Sequence, residues 1–449
     1  MTMRPVRAIA AVLAATTLVV LDAAIVNLAL PTIGHALRVS PAMSILVVTA
    51  YQLALVMALL PCAALGESLG FRRVFTAGVA LFTAASALCA AAPSLPWLVT
   101  ARFLQGLGGA AVMALGVALL RQVVPPHRLG AAIGWNALTV ALATATGPSL
   151  GAVILSAASG PWLFALNLPI GAAALLASRA LPRSPGSSRA LDPLSIALNG
   201  GVFAALVVGV DLLPTQPHLS LVLLLGAGAG LAMLVRREAP KAFPLVPLDL
   251  LRVPSVSISA AASVCLFTGQ TAALVALPFY LQHGLGLSAL QMALYITPWP
   301  LTVAIAAPVA GYLSDRVSTA WLCALGGGIL ALGLSAMAIQ ARGAPQILVP
   351  CVMLCGLGFG LFQAPNNRNM FLGAPPERSG AAGGLQGTAR LTGQTAGAVL
   401  MTALFTATSV DLAPRLGLGI GAALALTAGA VSTLRAGRRS LSAARPAPR

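Results

Sequence analysis

Fourteen apolar stretches follow one another along this chain, at 8–30, 43–65, 74–92, 97–120, 130–155, 161–180, 193–213, 219–235, 254–281, 289–312, 319–340, 346–364, 380–407 and 416–434. Each is near the roughly twenty residues a helix needs to cross a bilayer. Inside a bilayer no water satisfies the backbone, so a chain of such segments must fold as transmembrane α-helices. Only 8% of residues are charged, against about 25% in soluble domains. Most of the 45 glycines and 11 of the 32 prolines fall inside the apolar runs, where membrane helices tolerate them. Collagen-like, disordered and soluble readings are excluded. Arg4 and Arg7 precede the first run as in a signal peptide. That run is too long, and thirteen more follow, so it reads as an uncleaved first helix.

A net charge of +17 invites a nucleic-acid partner, but its distribution argues for topology instead. With the N-terminus placed inside, 21 of the 26 Lys and Arg residues fall in inside segments. Three fall outside (Arg38, Arg342, Arg415), and Arg102 and Arg390 lie within spans. This positive-inside bias places both termini in the cytoplasm. The six cysteines all lie in spans. Cys351 and Cys355 share a helix face with no histidine near them in sequence, which reads as small buried thiols and no metal site.

The chain repeats itself. Pro125-Pro126-His127-Arg128-Leu129-Gly130-Ala131-Ala132 recurs as Pro375-Pro376-Glu377-Arg378-Ser379-Gly380-Ala381-Ala382, 250 residues on, and Gly106-Leu107-Gly108 recurs as Gly356-Leu357-Gly358. Leu65-Gly66-Glu67 answers to Leu313-Ser314-Asp315, and Ala29-Leu30-Pro31 to Ala276-Leu277-Pro278. Two parallel six-helix halves are expected, 1–180 and 254–434, with two inserted helices and a loop at 181–253 and a basic, disordered tail at 435–449. The stretch from Arg236 to Pro254 reads as a surface connector.

Asp22 lies near the end of the first span. A carboxylate at mid-membrane costs roughly 2.5–3.5 kcal/mol to insert, so such residues face protein or water and find a partner. Arg102 in the fourth span is the candidate. Asp22 lies roughly 12 Å and Arg102 roughly 8 Å from the outer ends of their spans, at about 1.5 Å per residue, a difference the arginine side chain can close. Arg390 is a second intramembrane cation with no intramembrane acid to match it in its half. In the fifth span Thr139, Ala143, Gly147 and Gly151 form a face of small residues where another helix can approach, and Pro148 should bend that helix.

Several of these stretches resemble the fourteen-helix drug:proton antiporters of the major facilitator superfamily over nearly the whole chain. Leu21-Asp22, Ile25-Val26-Asn27 and Ala29-Leu30-Pro31 match that family's first-helix motif, with Ala24 in place of a threonine. Arg102, Gln105, Gly106, Gly108 and Ala110 match its fourth-helix motif, whose arginine is implicated in proton coupling. Gly147, Pro148 and Gly151 match its antiporter motif, with Ala143 and Ala152 replacing glycines. Glu67 and Arg72, and in the second half Asp315 and Arg316, fall in degraded copies of its cytoplasmic gating motif. The resemblance implies an all-α integral membrane protein with the major facilitator fold in the cytoplasmic (inner) membrane, acting as a monomer. It also implies proton-coupled antiport of lipophilic or amphipathic molecules through Asp22 and Arg102, with no cofactor beyond protons and no nucleic-acid partner. By analogy the substrate cavity would be lined by Asn27, Gln52, Gln105, Asn136, Gln270, Trp299, Gln363, Gln394 and Arg390. A dedicated exporter of one self-made metabolite or antibiotic, and an uptake symporter, are the alternatives. With no G-x-x-x-x-G-K stretch and four scattered histidines, neither an ATP site nor an enzyme is expected.

Overall fold

The computed structural model describes residues 3–443 apart from 40, 159, 184–185, 188–191, 213–214, 282–288, 340–346 and 410–411. Arg189, Arg342, Asp411, Arg445 and Arg449 therefore lie outside the described residues. The described residues are helical, without strands. In chain order the first helices are α1 (Met3–Leu37), α2 (Pro41–Leu69), α3 (Phe71–Ala90), α4 (Leu95–Val123), α5 (Leu129–Ala157), α6 (Trp162–Ala165) and α7 (Asn167–Ser178). The inserted segment forms α8 (Pro193–Leu212), α9 (Pro217–Glu238) and the short α10 (Leu248–Leu251). The second half follows as α11 (Pro254–Phe279), α12 (Ala289–Ile296), α13 (Pro298–Ser314), α14 (Thr319–Ile339), α15 (Leu348–Gly373), α16 (Ser379–Ala407) and α17 (Leu412–Ala443).

Twelve stretches among the described residues are long and apolar enough to cross a membrane. The two other expected spans are also helical. The sixth is divided into α6 and α7, and the thirteenth is α16, whose glycines, threonines and Arg390 dilute its apolar character. Local signals explain the breaks. Pro lies in the first turn of α4, α9, α11 and α13, where its missing N–H costs nothing. Gly70 separates α2 from α3 at φ 98°, a backbone region that side chains with a Cβ rarely enter. The expected disordered tail is corrected in part: α17 runs on to Ala443, because no proline interrupts the chain until Pro446. The expected connector after Arg236 likewise contains α10.

The residues fall into two compact units. The first comprises Met1–Pro125, Ala143–Leu250 and Ala374–Thr388, and the second Pro126–Leu142, Leu251–Gly373 and Ala389–Arg449. The divisions differ from the repeat boundaries because α5 and α16 each begin in one unit and end in the other, and because the inserted helices belong to the first. That pair is peripheral: only 17% of the apolar window of α9 is buried, against 78% for α4. Asn199 of α8 donates to the Met57 carbonyl of α2 at 2.9 Å, tying the pair to its unit. The first unit's core includes Leu21, Ile25, Val26, Val47 and Phe164, and the second's includes Phe267, Trp299, Phe359 and Phe362.

The repeated glycines make the same contact in each unit. A Cβ on Gly106 would run into the Tyr51 carbonyl, and one on Gly356 would run into the Trp299 carbonyl. Both glycines thus let a helix of the Gly-x-Gly repeat press against a neighbouring backbone. Gly106→Ala and Gly356→Ala are each expected to cost about 1–3 kcal/mol through overpacking, read as a lowered thermal midpoint in detergent. Gly328→Ala, where a Cβ meets nothing within 4 Å, should leave the midpoint unchanged or raise it.

Candidate functional site

Asp22 is fully buried in the first unit, and elements from six helices converge on it. Arg102, at i and i+3 with Gln105 on α4, donates through Nη1 to Asp22 Oδ2 at 2.6 Å and to Gln105 Oε1 at 2.6 Å. Asp22 Oδ1 accepts from Gln105 Nε2 at 2.9 Å and from Asn167 Nδ2, on α7, at 2.6 Å. Ser86 of α3 accepts from Gln105 at 2.8 Å and from Asn167 at 3.3 Å, and donates to the Phe82 carbonyl at 2.8 Å. On α2, the Val47 carbonyl accepts from Arg102 Nε at 3.2 Å, and the Tyr51 ring lies 4.3 Å beneath the guanidinium. Phe164 of α6 lies 6.0 Å from it. The arginine is 1% exposed and Asp22, Ser86, Gln105 and Asn167 are 0% exposed. A pair this dry persists only where hydrogen bonds occupy its remaining donors and acceptors.

The set has one loose end. Asn167 Oδ1 is buried without a hydrogen-bond partner among the described residues. Neither Asn167 nor Ser86 is among the residues expected from sequence, although Asn167 is the lone amide in the sixth span. Its span lies outside the helices that family analogy assigns to the cavity. The rule that an intramembrane polar group needs a partner would have found it.

Gln105, expected to line the substrate cavity, is corrected to a member of this network: its carbonyl accepts from Arg102 and its amide donates to Asp22 and Ser86. Trp299 is likewise removed from the cavity set, because it is 3% exposed and packed in the second unit's core. Asn27 and Gln52 are exposed, while Asn136, Gln270, Gln363, Gln394 and Arg390 are half-buried. Gly147 of α5 approaches α1 so closely that a Cβ there would collide with Ala24. The alanine that replaces the family threonine thus sits where the antiporter motif meets α1. Gly151 is buried. Pro148 falls within α5, its side chain outside those described.

The two acids of the degraded motif copies, Glu67 and Asp315, are each held by an arginine and by backbone N–H groups. Glu67, at the end of α2, accepts from Arg378 Nη1 at 2.5 Å and from the Ala381 N–H at 2.7 Å. Arg378 also forks onto Asp249, with Nε to Oδ2 at 2.7 Å and Nη2 to Oδ1 at 2.8 Å. Burial pulls the Arg378 guanidinium down, but hydrogen bonds to Asp249 and the charge of Glu67 outweigh it and hold it above its ordinary value. In the second unit Asp315 accepts from Arg368 Nε at 2.7 Å and from the Gly130 and Ala131 N–H groups at 3.0 Å each.

Arg72 and Arg316, which share the motif copies with these acids, make no ion pair with them among the described residues. Arg72 lies beyond the Gly70 turn and lines a separate cavity, and Arg316 stacks over Tyr312 at 4.3 Å. The Pro-Pro-x-Arg-x-Gly-Ala-Ala repeat takes on a physical role here. Its prolines end the preceding segment, and its small residues leave the first N–H groups of α5 and α16 open to a carboxylate, which the helix dipole favours.

Two further ties were not expected. Arg121 donates to the Ala374 carbonyl and to Ser379 Oγ, both at 2.9 Å. Below the inserted pair, Lys241 bridges Asp192 and Glu238, and Glu238 accepts the Leu245 N–H. The hydrogen bond from Lys241, ahead of those from Ser195 and Arg237, holds the Asp192 carboxyl well below the usual carboxylate range. The adjoining Pro244 carbonyl accepts from Arg378 at 3.2 Å, so this loop reaches the Glu67 cluster. In the second unit Arg435, read from sequence as a tail charge, is buried and donates to Ser259 Oγ at 2.7 Å and Asn366 Oδ1 at 2.9 Å.

An all-helical chain with this many membrane-length helices, two repeated halves and a buried acid–arginine pair is a multi-pass membrane transporter. The Major Facilitator Superfamily profile matches residues 12–398, and the chain belongs to that family. It is 43% identical over 437 residues, 95% of each chain, to the uncharacterized transporter YebQ of Escherichia coli K12. It is 31% identical to the multidrug resistance protein Stp of Mycobacterium tuberculosis, over 89% of this chain and 76% of that one. Among solved structures it resembles the human organic anion transporter MFSD10 at a TM-score of 0.69, covering 95% of this chain and 99% of the other. At 16% identity that likeness speaks for the fold alone.

Proposed function

We propose that this protein is a proton-coupled antiporter that exports lipophilic or amphipathic small molecules across the cytoplasmic membrane, with both termini in the cytoplasm. The observation that carries the reading is the fully buried Asp22, whose carboxylate accepts from Arg102, Gln105 and Asn167 at once. As a carboxylate it is an acceptor only. When a proton arrives from outside, one oxygen becomes a donor and the charge facing Arg102 is gone. Gln105 and Asn167 then point N–H groups at an atom that needs an acceptor, so the set must rearrange. A carboxylate satisfied in one protonation state and frustrated in the other is a two-state element that a proton gradient can bias. The similarity to a protein named for multidrug resistance supports export of drug-like compounds. The antiporter motif at Gly147, Pro148 and Gly151 supports exchange over symport.

Purified protein in proteoliposomes with an imposed pH gradient tests the reading. Cationic, neutral and anionic dyes are supplied on the side that corresponds to the cytoplasm. Dye should move against the proton flux, and collapsing the gradient should return transport to the protein-free rate. Dye movement with the protons, or movement indifferent to the gradient, would overturn antiport.

A further inference from the structure

Two neighbouring cavities flank the last turn of α7. The larger, of about 960 Å³, has Arg72 and Arg73 on one wall and Arg179 and Arg183 on the other. Ala77 and Ala80 of α3 and Leu175 of α7 supply its apolar surface. The smaller, of about 400 Å³, is lined by Arg7, Arg179 and apolar residues of α1 and α7. Arg179 belongs to both, and among the described residues no acid lines either. Among the described residues none of these five arginines makes an ion pair or a side-chain hydrogen bond. Arg121 and Arg378 of the same unit, by contrast, are engaged by carbonyls, a serine and carboxylates.

Four like charges facing one concavity without a counter-ion repel each other, and an anion relieves that repulsion. The uncapped first turn of α3, behind Gly70, adds N–H groups with a positive end. Apolar walls from two membrane-spanning helices, beside arginines at the helix ends that positive-inside charge places in the cytoplasm, suit a ligand with a phosphate head and acyl chains. Basic pockets between helices on that face are where anionic headgroups bind. We propose that these cavities bind an anionic phospholipid, with one phosphate among Arg72, Arg73, Arg179 and Arg183. The second cavity, joined to the first through Arg179, makes a two-phosphate lipid, diphosphatidylglycerol, the preferred ligand. The site adjoins the Glu67 cluster: Gly186 lines the larger cavity, and Ser187 donates its N–H and its hydroxyl to the Glu67 carbonyl at 3.0 Å each.

Native mass spectrometry of the full chain, delipidated in detergent, tests this with tetraoleoyl diphosphatidylglycerol, dioleoyl phosphatidylglycerol, dioleoyl phosphatidylethanolamine and inorganic phosphate. Diphosphatidylglycerol should bind tightest, phosphatidylglycerol less tightly, and phosphatidylethanolamine at least tenfold more weakly. Arg72→Gln with Arg179→Gln should weaken diphosphatidylglycerol at least tenfold while leaving the lipid-free thermal midpoint in place. Arg72→Lys with Arg179→Lys should retain most of the binding. Arg128→Gln with Arg252→Gln, exposed arginines outside both cavities, should change nothing. Equal weakening by that control pair would reduce the effect to a generic basic face. Equal binding of phosphatidylethanolamine, or full displacement of lipid by millimolar inorganic phosphate, would also overturn the proposal.

Discussion

Asp22→Asn is expected to insert and fold but to lose pH-gradient-driven efflux, with the coupled rate falling at least a hundredfold to the protein-free background. Asparagine keeps the shape of the side chain and an oxygen that can still accept from Arg102. The arginine also retains Gln105, the Val47 carbonyl and the Tyr51 ring. The loss in stability should therefore be modest, about 1–3 kcal/mol for weakened charge-assisted bonds. What disappears is the proposed proton site, because Asp22 is the one carboxylate among the described residues of the network, whose other side chains are amides, a hydroxyl, a phenol, an arginine and the Cys89 thiol, which donates to Gln105 Oε1 at 3.7 Å. Dye exchange at equal pH on both sides should persist, which separates uncoupling from misfolding. Undiminished pH-driven efflux in this variant would show that the proton binds elsewhere.

The contact between Asp22 and Arg102 was legible in the sequence for a simple reason. Two charges in apolar spans, at compatible depths, must each find a partner, and few partners exist. The all-helical membrane class was legible on the same ground, since span length is set by the bilayer, and twelve of the fourteen expected stretches are helices long and apolar enough to cross one. The clusters around Glu67 and Asp315 were not. Arg378 lies more than three hundred residues from Glu67, in a segment whose charges all look alike as positive-inside signal. Nothing in a single sequence says which of the 26 Lys and Arg residues meets which acid. The repeat Pro-Pro-x-Arg-x-Gly-Ala-Ala was visible, but its role was hidden because it works through backbone N–H groups of Gly130, Ala131 and Ala381 and not through side chains. The motif's own basic residues are placed elsewhere: Arg72 lies beyond the turn at Gly70 and Arg316 stacks on Tyr312. Asn167 lies in the sixth span, outside the motifs that carry the family resemblance, and only the rule that isolated amides in a membrane need partners points to it.

Arg102→Met is expected to be the most destabilising single change in the network. It removes the one cation from a carboxylate that is 0% exposed, leaving only the two amides of Gln105 and Asn167. Removing one member of a buried pair typically costs about 3–5 kcal/mol, a large share of the 5–15 kcal/mol that holds a domain together. The loss should appear as a sharply lowered thermal midpoint and reduced recovery from detergent. The two single changes should not add. With Asp22→Asn in the same chain the buried charge is gone, Gln105 and Asn167 still have an amide oxygen to bond, and the methionine fills the arginine's volume against Tyr51 and Phe164. Replacing a whole buried pair by neutral groups is often neutral or stabilising, so the double variant should recover most of the midpoint that Arg102→Met loses. A double-mutant cycle on unfolding in detergent measures this, with a coupling energy of several kcal/mol expected for groups in direct contact. Strict additivity would mean that the pair is not an energetic unit, and the charge-switch account of Asp22 would fail with it. The stable double variant is also a functional control: it should carry out dye exchange at equal pH and no proton-driven efflux, because stability has been restored without restoring the proton site.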